Sequence, residues 1–245
     1  MRTLHTKPFA YLLFVLSVLL GPGTVVALFL FLYNGSLDLV NLKLREPELL
    51  VFDAFLCFAF FIQHSCMIRK SFRESLTRVL PTHYDNAFFA IASGIVLLIL
   101  LIFWQESAHT LLSFQNSAYW FFRSLFFISL CGFTWCFWAL GFLDPFGLKP
   151  FLNHLRGASP KPPSFIIRGP YRWVRHPVYF FQIIIIWATP QLTSDRLFFN
   201  VLWSIWIVIA TILEERDLQA SFGNTYTEYQ KKVPMIIPIR ILPME

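Results

Sequence analysis

Charge is scarce in this chain. Asp, Glu, Lys and Arg make up 14% of it, against about 25% in a soluble domain. That excludes a water-soluble globule, and a mean hydropathy of +0.59 points the same way. Cysteine is nearly absent: Cys57, Cys66, Cys131 and Cys136 complete the set, and none forms a C-x-x-C. Neither a disulfide framework nor a thiolate metal site is expected, and the four read as small buried apolar residues. No spacing resembles H-E-x-x-H, so no metal is expected. There is no internal repeat, and the spans carry no buried charge pathway, which excludes a transporter built on repeat halves. The apolar run 9–33 follows Arg2 and Lys7. It is too long for a signal peptide and has no small-residue cleavage site.

Apolar sequence is what remains: 56% of the residues are hydrophobic, 29 of them Phe. Crossing the hydrocarbon takes about 20 residues of helix. Candidate spans are 9–33, 49–67, 87–104 and 119–143, followed by shorter runs at 178–192 and 197–213. The first should kink at Gly21-Pro22-Gly23. Pro190 and "TSDR" between the last two predict a tight helical hairpin, sheltered or re-entrant because its first arm is short. The expected fold is therefore all-α: a polytopic transmembrane protein of about six segments, one integral-membrane domain over 1–245, ending in a helical hairpin.

The net charge of +6 does not point to nucleic acid, because the basic residues lie in loops between spans. Arg69, Lys70, Arg73 and Arg78 fill one loop; Lys149, Arg156, Lys161, Arg168, Arg172 and Arg175 fill another; Arg216, Lys231, Lys232 and Arg240 follow the last span. The 105–118 loop has none. Lys and Arg collect on the cytoplasmic side and against anionic headgroups. Both termini are therefore expected to be cytoplasmic, with the chemistry on that face. A bacterial inner membrane is the expected location.

One boundary is unusually polar: "RGPYRWVRHPVYF", 168–180. Pro177 suits the first turn of a helix, where its missing N–H costs nothing. His176 would precede that helix, and Tyr179 would face the same way as His176. The second arm ends in "LEERDL", returning Glu214 and Glu215 near the level of His176. Two acids at a helix C-terminus oppose its dipole by about 0.3–1 kcal/mol each. They are read either as salt-bridge partners of Arg172, Arg175 or Arg216, or as half of a polar pocket beneath a hydrophobic chamber. The loop "RGASPKPPSFIIRGP", 156–170, leads into this region. Asp144 reads as a helix-boundary cap, and His83 and His154 have no identified partner.

"RHPVY", the Glu-Glu pair, and the trailing F-G-x-x-Y-x-x-Y and V-P-x-x-I-P of "LEERDLQASFGNTYTEYQKKVPMIIP" resemble the C-terminal half of the isoprenylcysteine carboxyl methyltransferase superfamily. "QHSCMIRKSF" (63–72) and "FLDPFGL" (142–148) are similar to its methanethiol S-methyltransferase and nurim-like branch. "YDNAF" at 84–88 departs from that branch, which shows an acidic residue or Gln followed by R-S-x-Y.

The resemblance covers about 60–240 and implies a membrane methyltransferase using S-adenosylmethionine, with the cofactor site in 165–235. It implies that Arg175, His176, Pro177 and Tyr179 shape the pocket. Glu214 and Glu215 would supply carboxylates, and Tyr171 and Arg172 would reach the cofactor's carboxylate. Arg175 and His64 are the candidates for catalysis, His64 assisting the acceptor. A thiolate acceptor is helped by nearby positive charge. The alternative for His64 is an interfacial histidine bonded to a carbonyl. Tyr226 and Tyr229 would lie on one face of a lid helix or pack against the membrane surface. The expected partners are membrane lipids and a small or lipophilic acceptor, a thiol before a prenylcysteine carboxylate or phospholipid amine. A nurim-like structural protein without catalysis is the reading from another class.

Overall fold

The structure is a computed structural model and describes residues 7–76, 78, 81, 84–141, 153 and 165–239. Asp144, His83, His154 and the "FLDPFGL" stretch lie outside the described residues. Among the described residues, five helical runs are long and apolar enough to cross a membrane. Packing divides the chain into two units, Met1–Ser107 with Leu143–Pro162, and Ala108–Phe142 with Pro163–Glu245.

The first unit holds α1 (Lys7–Leu20), α2 (Pro22–Asn34), α3 (Glu46–Ile68), the short α4 (Lys70–Leu76) and α5 (Asp85–Phe103). The first apolar run breaks at Gly21, as its Gly-Pro-Gly predicts. A break inside lipid leaves carbonyls that must be satisfied internally. The Thr24 hydroxyl braces the bend, donating to Leu20 O at 2.6 Å and to Gly21 O at 3.1 Å, and Gly21 O also accepts from Val25 N at 3.3 Å. The bend brings Leu20 against α5 at Gly94, where an added Cβ would stand 1.8 Å from Leu20 O. Gln105, just past α5, works as a strut. Its side chain donates to Val40 O and Phe103 O and accepts from Leu42 N, while its N–H donates to the fully buried Asp53 at 3.0 Å. The polar end of this unit is thereby tied together largely through backbone groups.

The second unit holds β1 (Thr110–Ser113), α6 (Asn116–Leu140), a 3₁₀ turn (Gly169–Arg172), α7 (Pro177–Trp187), β2 (Gln191–Thr193), α8 (Ser194–Phe222) and α9 (Asn224–Lys232). On α6, Trp120 and Trp138 are 68% and 76% exposed. Eighteen residues of helix separate them by about 27 Å, close to the hydrocarbon thickness of about 30 Å. They therefore mark two interfacial levels. On another face α6 lies tight on α7, where a Cβ at Gly132 would meet the Phe181 ring at 2.3 Å. Gly132→Ala is expected to cost about 1–3 kcal/mol through overpacking, read as a lower midpoint of thermal unfolding in detergent. An unchanged midpoint would refute the close approach.

The structure corrects two expectations. The 178–192 run is not helical throughout: α7 stops at Trp187, and 191–193 pair antiparallel with β1, in the register Thr110↔Thr193, Leu112↔Leu192 and Ser113↔Gln191. The four isoleucines 183–186 stay within α7, and the helix ends ahead of Pro190, which disfavours helix in the residue before it and cannot donate an N–H. Its carbonyl instead accepts from Phe114 N at 2.8 Å. The cysteines are also not uniformly buried. Cys57 and Cys136 are, whereas Cys66 and Cys131 are exposed, and all four are free thiols.

Candidate active site

The site is built where α7 begins and α8 ends. Pro177 occupies the first turn of α7, and His176 is its N-cap residue. The His176 carbonyl accepts the helix's first bond from Phe180 N at 3.1 Å. Three residues on, Tyr179 stacks its ring on that of His176, 5.6 Å between centroids and 12° from parallel. α8 has no Gly or Pro over its 29 residues, so it runs about 43 Å. About 30 Å separate Ser194 from Glu214, which places the Glu pair where the hydrocarbon ends. The outgoing chain covers the same height with a shorter helix. α7 rises about 15 Å, and the extended residues after it gain about 3.3 Å each.

Glu215 is buried and fully engaged. Its Oε1 accepts from Arg175 Nε at 2.9 Å, His176 Nε2 at 2.6 Å and Tyr226 OH at 2.6 Å. Its Oε2 accepts from Arg175 Nη2 at 2.8 Å and Gln230 Nε2 at 2.7 Å. A carboxylate has about four lone-pair positions, so five donors leave Glu215 no capacity. Because the carboxylate only accepts, His176 carries its proton on Nε2 in this arrangement. Arg175 continues outward, donating from Nη1 to the Gln230 and Val233 carbonyls.

Glu214 differs from its neighbour. Its side chain is 43% exposed. It accepts from Tyr179 OH at 2.7 Å and lies 3.7 Å from His176 Nδ1. Within this bonded set Arg175 pairs with Glu215, and Glu214 is held by the Tyr179 phenol beside the His176 ring.

α9 closes the site from outside the bilayer. Tyr226 and Tyr229 are buried on one face, packed with Val233 and against Phe165, Ile167, Leu218 and Phe222. Tyr229 OH donates to the Tyr171 carbonyl at 2.6 Å. Burial pushes the Tyr226, Tyr229 and Tyr171 hydroxyls well above the ordinary phenol range, so they stay protonated across ordinary pH. Past α9 the chain lies along the start of the site: Arg175 N donates to Pro234 O at 2.9 Å and His176 N to Met235 O at 3.0 Å.

The structure thus brings Arg175, His176, Pro177, Tyr179, Glu214 and Glu215 together. Tyr171 and Arg172 sit beside them in the 3₁₀ turn. His64 belongs to the first unit, where its ring lies between Phe60 and Phe89 at 5.2 and 5.0 Å. "YDNAF" caps α5, with Tyr84 buried and Asp85 3.6 Å from Arg73. Gln230 went unnoticed in the sequence, although it lies one turn from Tyr226 on the same face of α9. No group of three or more potential metal ligands occurs among the described residues.

The phospholipid methyltransferase family profile matches residues 117–225, which span most of this site. A methanethiol S-methyltransferase of Pseudomonas deceptionensis is 34% identical over 200 residues, covering 78% of this chain and 74% of its own length. One from Crocosphaera subtropica is 30% identical over 235 residues, covering 94% and 89%. Nurim of Xenopus laevis is 25% identical over 179 residues, covering 67% and 61%. No solved structure matches the chain. The expected branch is borne out: the chain belongs to the family of integral-membrane methyltransferases that includes the methanethiol S-methyltransferases.

Proposed function

We propose that this protein is an S-adenosylmethionine-dependent methyltransferase acting on a small thiol, with its cofactor held at the end of α8 by Glu214 rather than Glu215. The observation that carries this reading is the inequality of the two glutamates. Glu215 has its acceptor positions filled by the protein. Glu214 is half-open, with one phenol donor, beside a stacked imidazole and phenol. That set fits a sulfonium cofactor, which needs acceptors for its hydroxyl and amino groups and an aromatic wall for its positive charge.

When bound, the cofactor supplies a methyl group on a positively charged sulfur. The remaining requirements fall to the chain: in-line alignment, exclusion of water and a deprotonated acceptor. The chain's part would be to hold an acceptor sulfur in line with that methyl group and to let the thiol proton leave to solvent. Arg175, His176 and Glu215 are positioning residues that hold Tyr179 and α9 around Glu214. Pro177 sets the helix start, and Tyr171 and Arg172 border the same space. His64 is proposed to assist the acceptor, a reading supported by its place near the end of α3, while its two phenyl neighbours suit packing. The relatives' names favour methanethiol as the acceptor. The Lys and Arg of the surrounding loops favour a cytoplasmic site, both termini on that side, and an inner membrane.

Calorimetry of the purified protein with S-adenosylhomocysteine tests the cofactor. Glu214→Gln is expected to weaken binding about 10- to 100-fold, the value of one charged hydrogen bond, while leaving thermal stability nearly unchanged. Equal affinity in the variant would remove Glu214 from the site. Labelled methyl transfer to methanethiol, a prenylcysteine and a phospholipid then identifies the acceptor. The nurim likeness supports a second reading, in which the saturated Glu215 hub persists as scaffold. Well-folded protein that never binds the cofactor product would favour it.

A further inference from the structure

The segment after α9 combines two features that the site alone does not require. At Pro234 and Met235 its backbone is bonded to Arg175 and His176. Immediately beyond, Ile237 and Ile239 turn outward, 68% and 76% exposed, and Ile239 N donates to Ile237 O at 2.9 Å. The segment leading into the 3₁₀ turn shows the same division. Phe165 and Ile167 pack inward against Tyr226 and Tyr229, while Ile166 between them is 42% exposed. Both segments that clasp α9 therefore present isoleucine to the outside.

The level of these side chains can be read from α6. Its last turn holds the 3₁₀ turn, with Gly169 fitted against Trp135 and Ala139. On that same turn Trp138 is 76% exposed, an aromatic marker of the interface between acyl chains and headgroups. The outward isoleucines thus continue a lipid-facing surface. Exposed apolar side chains beside such a belt suit partial insertion at the interfacial depth.

We propose that Ile166, Ile237 and Ile239 seat in the headgroup–acyl boundary of the bilayer, and that this seat holds the tail as a strap across the cofactor site. The partner is the lipid surface itself. The strap function rests on the cofactor reading above; the seat does not.

The test uses the full chain reconstituted in nanodiscs of phosphatidylethanolamine and phosphatidylglycerol. Spin labels are placed through Ile237→Cys, Ile239→Cys and, as a water-facing control, Glu228→Cys. All are made in a Cys66→Ser, Cys131→Ser background, because those are the exposed thiols. Labels at 237 and 239 are expected to collide preferentially with oxygen and the control with a water-soluble nickel complex. Labels at 237 and 239 as water-accessible as the control would overturn the seat. The double variant Ile237→Asp, Ile239→Asp is then expected to bind S-adenosylhomocysteine about 10-fold more weakly in nanodiscs, about one decade of affinity. Immersed labels with unchanged affinity in that variant would overturn the strap. Failure of the unaltered protein to bind S-adenosylhomocysteine would count against the cofactor reading and the strap resting on it, leaving the depth measurement to decide the seat.

Discussion

Glu215→Ala is expected to loosen α9 against the rest of the site. The substitution removes five hydrogen bonds at once and leaves Arg175, with only 10% of its side chain exposed, facing no carboxylate at that position. Breaking a buried pair by deleting one partner costs about 3–5 kcal/mol, because the surviving charge stays desolvated. The loss reaches α9 through Tyr226 and Gln230, while the Arg175 contacts to the Gln230 and Val233 carbonyls still tether its end. Hydrogen exchange of the 224–232 amides is the measurement. They should exchange at least tenfold faster in Glu215→Ala, with α6 little changed. Glu215→Gln should fall between, since it keeps the shape but presents one acceptor oxygen to several donors. Unaltered protection of α9 in Glu215→Ala would contradict its role as the hub.

The second large effect is expected far from any chemistry. Gly94→Ala adds one methyl group where the nearest atom is a backbone oxygen, and that oxygen cannot rotate away as a side chain could. Overpacking typically costs about 1–3 kcal/mol and sometimes more, and close helix approach in membranes depends on small residues at the contact. Gly94→Ala should therefore lower the unfolding midpoint more than Gly132→Ala, whose obstacle is a phenyl ring able to shift. The reverse order would show that α1 can move off α5.

Local rules were enough to read part of this molecule. Pro177 announces a helix start, which fixes His176 as the cap and Tyr179 on its face. Gly21-Pro22-Gly23 announces the break. The strand after α7 was hidden because its cause is remote: the chain leaves the helix to pair with Thr110–Ser113, about 80 residues earlier in sequence. Pro190 marks that the helix must end, but nothing in the local sequence names the partner strand, since periodicity cannot separate a buried strand from a short helix. The division between the glutamates was hidden for a related reason. Both lie at the same boundary in "LEER", and their burial differs because Tyr226 and Gln230 arrive from another helix and choose one of them. Sequence proximity made them look like a pair, whereas the fold gives them separate environments.

The bend at Gly21 also bears on how the chain is made. Its docking surface, the bare backbone at Gly94, lies about 70 residues further along. Translation at about 5–20 residues per second separates the two by several seconds. During that interval the first helical run stands in the bilayer without its partner, at a point where an open carbonyl would be costly. Thr24 braces the elbow from within the same segment, and Gly21 is bonded there to Ser17 and Val25, so these bonds of the joint form without waiting for α5.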